Sequence, residues 1–383
     1  MKRRVVILTE IISPYRIPLF NALAQRANID LHVIFLSETD TSLRQWHVYK
    51  DEIRFSFEVL PAFRRRLGKY NVLLNRGVTG ALQAAAPDVV VCGGYNYLAS
   101  WQTLRWARAR EIPFLLWSES NLQDMRRGRA PVEFLKRKFL KQCSGFAVPG
   151  KSAFQYLESF GIESSSIFTA PNAVDNELYA QATAAVHADR EKVRCELGLP
   201  ERYFLYVGRL VREKGVFDLL AAYARLDAGP RAKIGLVFVG DGAARTSLMQ
   251  QAAAISPGEI KFPGFAQREQ LTAYYALADV FILPTHTDPW GLVVNEAMAS
   301  GLPIIVTTVA GCAVDLVREG WNGFQVLPGD TAALAYAMRK IAVDPVLRAT
   351  MTTNSSQLIA QYSPEAWAKG LGSAVETMVS QRG

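Results

Sequence analysis

Short runs of apolar residues alternate with segments of helical period through both halves of this chain, and that alternation constrains its fold more than any other feature. Strands apolar at every position must be covered on both faces, which is the condition of parallel sheets built from βα units. In the first half the runs are VVILT (5–9), LHVIFL (31–36), DVVVCG (88–93), PFLLW (113–117) and GFAVP (145–149). The pattern dissolves between 171 and 202 into a polar, Ala-rich stretch, then resumes with YFLYVG (203–208), KIGLVFVG (233–240), EIKFPG (259–264), VFILP (280–284) and PIIVT (303–307). The expectation is an α/β protein of two Rossmann-like domains: residues 1–172, a connector over 173–200, and residues 201–363. A closing helix over 364–383, periodic despite Gly370 and Gly372, is expected to join the first domain. At 383 residues, half of them hydrophobic, the chain can bury two cores.

The apolar run near the N-terminus is shorter than a signal-peptide core and leads directly into Thr9 and Glu10. No other stretch approaches the roughly 20 apolar residues a bilayer crossing needs. Four widely spaced cysteines with no CxxC pair fit neither a disulfide framework nor a zinc site. The expectation is a cytoplasmic protein, soluble or peripheral on the inner face of a membrane.

The net charge of +8 is uneven, because residues 1–170 hold 24 Lys/Arg against 14 Asp/Glu while the remainder holds 19 against 21. The cations are densest in FRRRLGKY (63–70) and in DMRRGRAPVEFLKRKFLKQ (124–142), where Phe and Leu interleave with them. Such a surface suits anionic lipid, at about 1 kcal/mol per well-placed cation. A plain solvated basic face produces the same pattern, and no nucleic-acid partner is expected.

In open α/β sheets ligands bind beyond the carboxyl ends of the strands, where helix N-termini present free amides. Two stretches place chemistry there. In YVGRLVREKGVFDLL, Gly208 ends a strand and Arg209 and Lys214 precede a helix, so two cations stand where a diphosphate could be held. In ADVFILPTHTDPWGLVVNEAMASGLPIIVT, Asp288 and Glu296 bracket seven residues, with Trp290 and Gly291 shaping a turn before a helix. The amides of Gly291 and Leu292, with Val293 behind them, form an anion site at its start. Asp288 is placed to hold donor-sugar hydroxyls and Glu296 to accept from a ribose. The structural alternative makes Asp288 a helix N-cap or turn residue and Glu296 a buried capping partner.

These stretches, with FVGDG, FPGF and WNGFQVLPGD, resemble the retaining GT-B glycosyltransferases of family 4, whose members carry a Glu, seven residues and a second Glu at this point. The resemblance spans most of residues 203–330. It implies two sheets facing a central cleft. It also implies that Arg209 and Lys214 bind the diphosphate of a UDP- or GDP-sugar, that Gly264 and Phe265 flank the nucleobase, that Asp288 contacts the sugar and that Glu296 holds the ribose. In the first half the Gly-rich loop common in the family is replaced by IISPYRIPLF, which puts Ser13, Pro14, Tyr15 and Arg16 on the acceptor side. Asp288 is one methylene shorter than the family's Glu. The family's acceptor-side His is absent, with WSESN (117–121) in its place, so that Ser118 or Glu119 is the candidate there. Gly93 and Gly94 in GGYNY permit close backbone approach.

His32 falls within a strand and His187 within the connector, whereas His286 stands two residues before Asp288 and is the histidine candidate for substrate contact. No Asp-x-Asp occurs, so no metal and no resident cofactor are expected. The function expected is retaining glycosyl transfer from a nucleotide-diphosphate sugar to a lipid-linked or saccharide acceptor. A non-catalytic nucleotide-sugar-binding protein and a related epimerase are the alternatives. A dehydrogenase would need a GxGxxG turn after an early strand, and none is there.

Overall fold

The computed structural model of the chain describes residues 2–40, 46–67, 70–122 and 130–381. It separates into two compact units, Met1–Val174 with Ser363–Gly383, and Asp175–Tyr362.

The first unit is built on β1 (Arg3–Thr9), β2 (Ile29–Phe35), β3 (Ser56–Val59), β6 (Val89–Cys92), β7 (Phe114–Trp117), β8 (Gly145–Val148) and β9 (Ile167–Thr169). They form one parallel sheet in the order β3-β2-β1-β6-β7-β8-β9. Strands β4 (Ala62–Leu67) and β5 (Tyr70–Asn75) stand apart as an antiparallel hairpin. Helices α1 (Ile17–Ala24), α2 (Val78–Ala85), α3 (Leu98–Arg108), α4 (Ala130–Leu140) and α5 (Lys151–Glu158) complete the βα alternation.

The pleat divides alternate residues between two cores. Val5, Ile7 and Val33 face one layer with Phe20 and Trp117, while Val6, Leu8 and Ile34 face the other with Leu104 and Phe139. The helix Pro364–Ser380 belongs to the first of these layers. Its Trp367 is fully buried, 5.1 Å from the Trp117 ring and 5.7 Å from Phe20. Of its two glycines, Gly370 has a packing reason, because a Cβ there would be driven into the carbonyl oxygen of Thr169. The glycine weakens the helix intrinsically and permits its close approach to β9.

The second unit has β10 (Tyr203–Val207), β11 (Gly235–Val239), β12 (Ile260–Gly264), β13 (Val280–Leu283), β14 (Ile304–Thr307) and β15 (Gly323–Val326), all parallel, in the order β12-β11-β10-β13-β14-β15. This is the doubly wound order, and the sheet reverses direction of winding between β10 and β13. Its helices are α6 (Asn176–Ala188), α7 (Arg190–Glu196), α8 (Val216–Ala224), α9 (Ala228–Arg231), α10 (Arg245–Ala252), α11 (Arg268–Leu277), α12 (Leu292–Ala299), α13 (Ala313–Leu316), α14 (Thr331–Val343) and α15 (Pro345–Ile359), so that Pro364–Ser380 is α16.

The stretch expected as a connector is structured. Asp175 caps α6 by accepting from the Leu178 amide, and the helix then packs against α11 and α12 within the second unit. Its polarity reflects one buried position, Tyr179, on an otherwise solvated helix. Strands β3, β4, β5, β9 and β15 were not visible as apolar runs, being edge strands or part of a hairpin with a solvated face. Among the described residues no helix is long and apolar enough to cross a membrane. Of the basic stretches, residues 68–69 and 124–129 lie outside the described residues.

Candidate functional site

The chain reversal in the second sheet puts the loops after β10 and β13 side by side, and these two loops carry the charged candidates. Lys214 lies in a single 3-10 turn, Arg212–Lys214, and Gly215 after it turns the chain into α8 with a left-handed φ of 68°. A Cβ at Gly215 would be driven into the Pro284 carbonyl, so the loop rests directly on the end of β13. Hydrogen bonds fasten the two together: the His286 amide donates to Glu213 O at 2.9 Å, and Thr285 Oγ1, which lies 3.2 Å from the same oxygen, donates to Thr287 O at 2.7 Å.

Lys214 Nζ then donates to Asp288 Oδ2 at 2.6 Å and to Thr287 O at 3.3 Å. Both side chains of the pair are only 16% exposed, which weakens solvent screening between them. The other Asp288 oxygen, Oδ1, accepts from the Trp290 amide at 3.3 Å, closing the turn. Asp288 thus holds a cation and a turn with its two oxygens. Arg209 is exposed, at the mouth of the same loop.

Gly291 has φ 97° and opens α12, and no side chain caps that helix. Helix α8 is likewise uncapped by any side chain. Two helix N-termini with free amides therefore flank Lys214 and Asp288, which favours an anion. Leu292 and Val293 lie half-buried in the first turn of α12. Trp290 is nearly fully buried and donates from Nε1 to Asn295 Oδ1 at 2.9 Å, so its indole anchors the turn from beneath.

Glu296 lies one turn further along α12. Tyr275 Oη donates to its Oε2 at 2.7 Å, and the Tyr179 hydroxyl acts on the same carboxyl. Loss of hydration pushes its pKa up to about 7, and the two phenols oppose that shift.

Two further loops, those after β11 and β12, meet the β10 loop at the same edge of the sheet. The Gly208 amide donates to Val239 O at 3.0 Å, Leu210 N to Asp241 O at 2.8 Å, and Gly240 N to Gly264 O at 2.7 Å. Gly264 ends β12 with φ 91°, and Phe265 after it is 43% exposed, a large apolar ring left in solvent.

In the first unit the corresponding reversal lies between β1 and β6. Ser13 is buried and precedes the 3-10 turn Pro14–Arg16. The Arg16 guanidinium lies 4.3 Å over the Trp117 ring and donates to Thr9 Oγ1 at 3.0 Å and Glu119 Oε1 at 3.4 Å. Tyr15 is half-buried, edge-on to Trp46 at 5.8 Å. Gly93 N donates to Leu8 O, and Gly94 turns the chain away from β6 with φ 108°. Ser118 is buried with its amide on Ala147 O. The fold thus gathers Arg16, Glu119, Ser13 and the Gly93–Gly94 turn around one strand end.

His286 belongs to the second unit, and its ring is engaged: Nε2 lies 2.6 Å from Asp218 Oδ2 at the start of α8. Sequence reasoning missed Tyr179, Tyr275 and Asp218, which look like ordinary helix-face residues until the helices are packed. It also missed a network in the first unit, where Arg64 bridges Glu10 and Asp40, and where burial and the Glu10 carboxylate hold the Tyr97 phenol above its ordinary range. Among the described residues no three His, Cys, Asp or Glu side chains stand together as a metal site.

Two family models match the chain, Glycosyltransferase Family 4 over residues 19–178 and Glycosyl transferases group 1 over residues 189–358. A putative teichuronic acid biosynthesis glycosyltransferase, TuaC of Bacillus subtilis, is 32% identical over 192 residues, which are 49% of this chain and 46% of the relative. A lipopolysaccharide core biosynthesis glycosyltransferase, LpsE of Rhizobium meliloti, is 31% identical over 183 residues, 47% of this chain and 51% of the relative. The matches thus span about half the length of these curated relatives. Among solved structures, Anabaena HepE in complex with UDP superposes with a TM-score of 0.74 at 19% identity, covering 98% of this chain and 100% of that one. At that identity the likeness is one of fold.

Proposed function

Because the chain belongs to the GT-B glycosyltransferases, we propose that it transfers a glycosyl group, with retention, from a UDP- or GDP-sugar to an acceptor hydroxyl. The observation that carries this reading is the meeting of Lys214, Asp288 and two uncapped helix N-termini where the second sheet reverses. A half-buried cation and two sets of helix-terminal amides within one loop pair suit a diphosphate.

In this reading Lys214, Arg209 and the amides of α8 and α12 receive the donor diphosphate. The bond between the anomeric carbon and the leaving phosphate oxygen breaks, and the acceptor oxygen bonds to the same face of that carbon. The acceptor's proton passes to the leaving phosphate. Negative charge grows on that phosphate in the transition state, and preorganised cations and dipoles stabilise it without reorganising. Glu296 accepts from the ribose and Phe265 lies beside the base. Asp288 keeps Lys214 in place and meets the sugar. No metal or resident cofactor has a part.

The acceptor is assigned to the first unit, at Ser13, Tyr15, Arg16, Gly94 and Glu119, with His286 a further candidate from the second unit. Relatives named for teichuronic acid and lipopolysaccharide core biosynthesis support a surface-polysaccharide or glycolipid product. A membrane-presented acceptor also accords with α4, whose outer face exposes Val132, Phe134 and Leu135 among Arg137 and Lys138. The test is incubation of the protein with UDP-, GDP- and dTDP-sugars. Slow donor hydrolysis, or protection against thermal unfolding by one nucleotide, supports the reading; a panel with neither effect overturns it.

A further inference from the structure

We infer that Tyr275 and Tyr179 are positioning residues for Glu296, two phenolic donors delivered by α11 and α6 that fix its carboxyl so that the remaining lone pairs receive the ribose hydroxyls of the donor. The inference rests on the reading of Glu296 given above and adds to it the groups that aim this carboxyl.

Tyr275 is fully buried and Tyr179 is 5% exposed, with their rings edge-on at 6.0 Å. A buried hydroxyl is held where its partner is: Tyr275 Oη lies 2.7 Å from Glu296 Oε2 and 3.5 Å from Val293 O, and Glu296 is the carboxyl on which the Tyr179 hydroxyl acts. A carboxylate offers about four lone-pair positions. Two phenols occupy half of them, and a ribose diol needs the other two. Without the phenols, Glu296 would have to give up its rotameric freedom each time a nucleotide bound.

The arrangement also ties α6 to the site. Asp175 caps that helix, and Tyr179 follows one turn later on its buried face.

The ionisable groups around Glu296 are few. Tyr179 comes from α6 and Tyr275 from α11. Arg268 at the start of α11 and Asp175 at the start of α6 act on Tyr179 from further away. Each phenol favours the ionised carboxylate, so removing one makes Glu296 hold its proton to higher pH.

The experiment measures binding of UDP, GDP and their 2′-deoxy forms by calorimetry from pH 6 to 9. It compares the full chain with Glu296→Ala, Tyr275→Phe and Tyr179→Phe. The unaltered protein is expected to prefer the ribonucleotide by about tenfold, the size of one hydrogen bond to a charged group. Each Tyr→Phe variant is expected to lose most of that preference at pH 7, to regain part of it toward pH 9, and to bind the deoxy form as before. Glu296→Ala has no preference at any pH. Tyr→Phe variants that keep the full preference overturn the inference, as do variants that lose affinity for both forms alike, which marks a merely structural role. If Tyr275→Phe does not fold, Tyr179→Phe decides the matter alone. An unaltered protein with no ribose preference overturns instead the reading of Glu296 beneath.

Discussion

Lys214 and Asp288 lie 74 positions apart in sequence and 2.6 Å apart in space, and their ion pair joins the two loops at the reversal point of the second sheet. Sequence spacing suggested each residue for a separate task, one for phosphate and one for sugar. The geometry makes them one device, in which the carboxylate sets where the ammonium stands. Lys214→Ala is expected to lower turnover roughly 10²- to 10³-fold, the usual cost of removing one preorganised group from an oxyanion. Steady-state kinetics beside a circular dichroism melt check this. Near-normal turnover in a folded variant sinks the assignment.

Glu296 makes stability depend on pH. Its pKa of about 7 is well above the ordinary carboxylate value of 4.5. Between those values the folded unit keeps a proton that the unfolded chain has released, so stability falls as pH rises through this window. Glu296→Gln removes the dependence. The unfolding midpoint of the variant relative to the unaltered protein is expected to rise from pH 5 to pH 8. A difference that is the same at both pH values contradicts the burial argument.

Gly215 tests the loop contact. Alanine there meets a left-handed φ and the Pro284 carbonyl at once. Gly215→Ala is expected to cost on the order of 1–3 kcal/mol from backbone strain alone, with the steric clash added to it. Urea unfolding measures the loss. Gly229→Ala serves as the control, because nothing stands within 4 Å of its missing Cβ.

The central strands of both sheets and the helix behind Gly291 were legible because each is a local pattern: a run apolar on both faces, or a turn residue preceding a helix. The edge strand β3 was not, since residues that are half-buried on one face leave no unbroken apolar run. Lys214, Asp288 and Glu296 could be singled out as residue types at strand ends. Their coupling could not, because it depends on which strands become neighbours. The same holds for Tyr275, whose partner Glu296 lies 21 positions on and on another helix. Polar α6 read as a connector because its attachment to the second unit passes through few residues, Tyr179 foremost.

The exposed face of α4 predicts membrane attachment. Phe134 is 66% exposed and Leu135 51%, an unusual load of apolar surface beside exposed Arg137 and Lys138. Co-sedimentation with vesicles containing anionic lipid is expected at low salt and is expected to fade as salt screens the charges. The double variant Phe134→Asp, Leu135→Asp should stay in the supernatant at both. Equal binding to neutral and anionic vesicles contradicts the electrostatic part of the account.

In the proposed reaction the second unit activates a nucleotide-diphosphate sugar and the sugar is passed on with its configuration kept. The most direct measurement follows the anomeric proton by NMR while the protein consumes an α-linked UDP- or GDP-sugar. The first product, transferred or hydrolysed, is expected to be the α-anomer, and Lys214→Ala is expected to form almost none. A β-anomer as the first product, or consumption at an unchanged rate by Lys214→Ala, would contradict it.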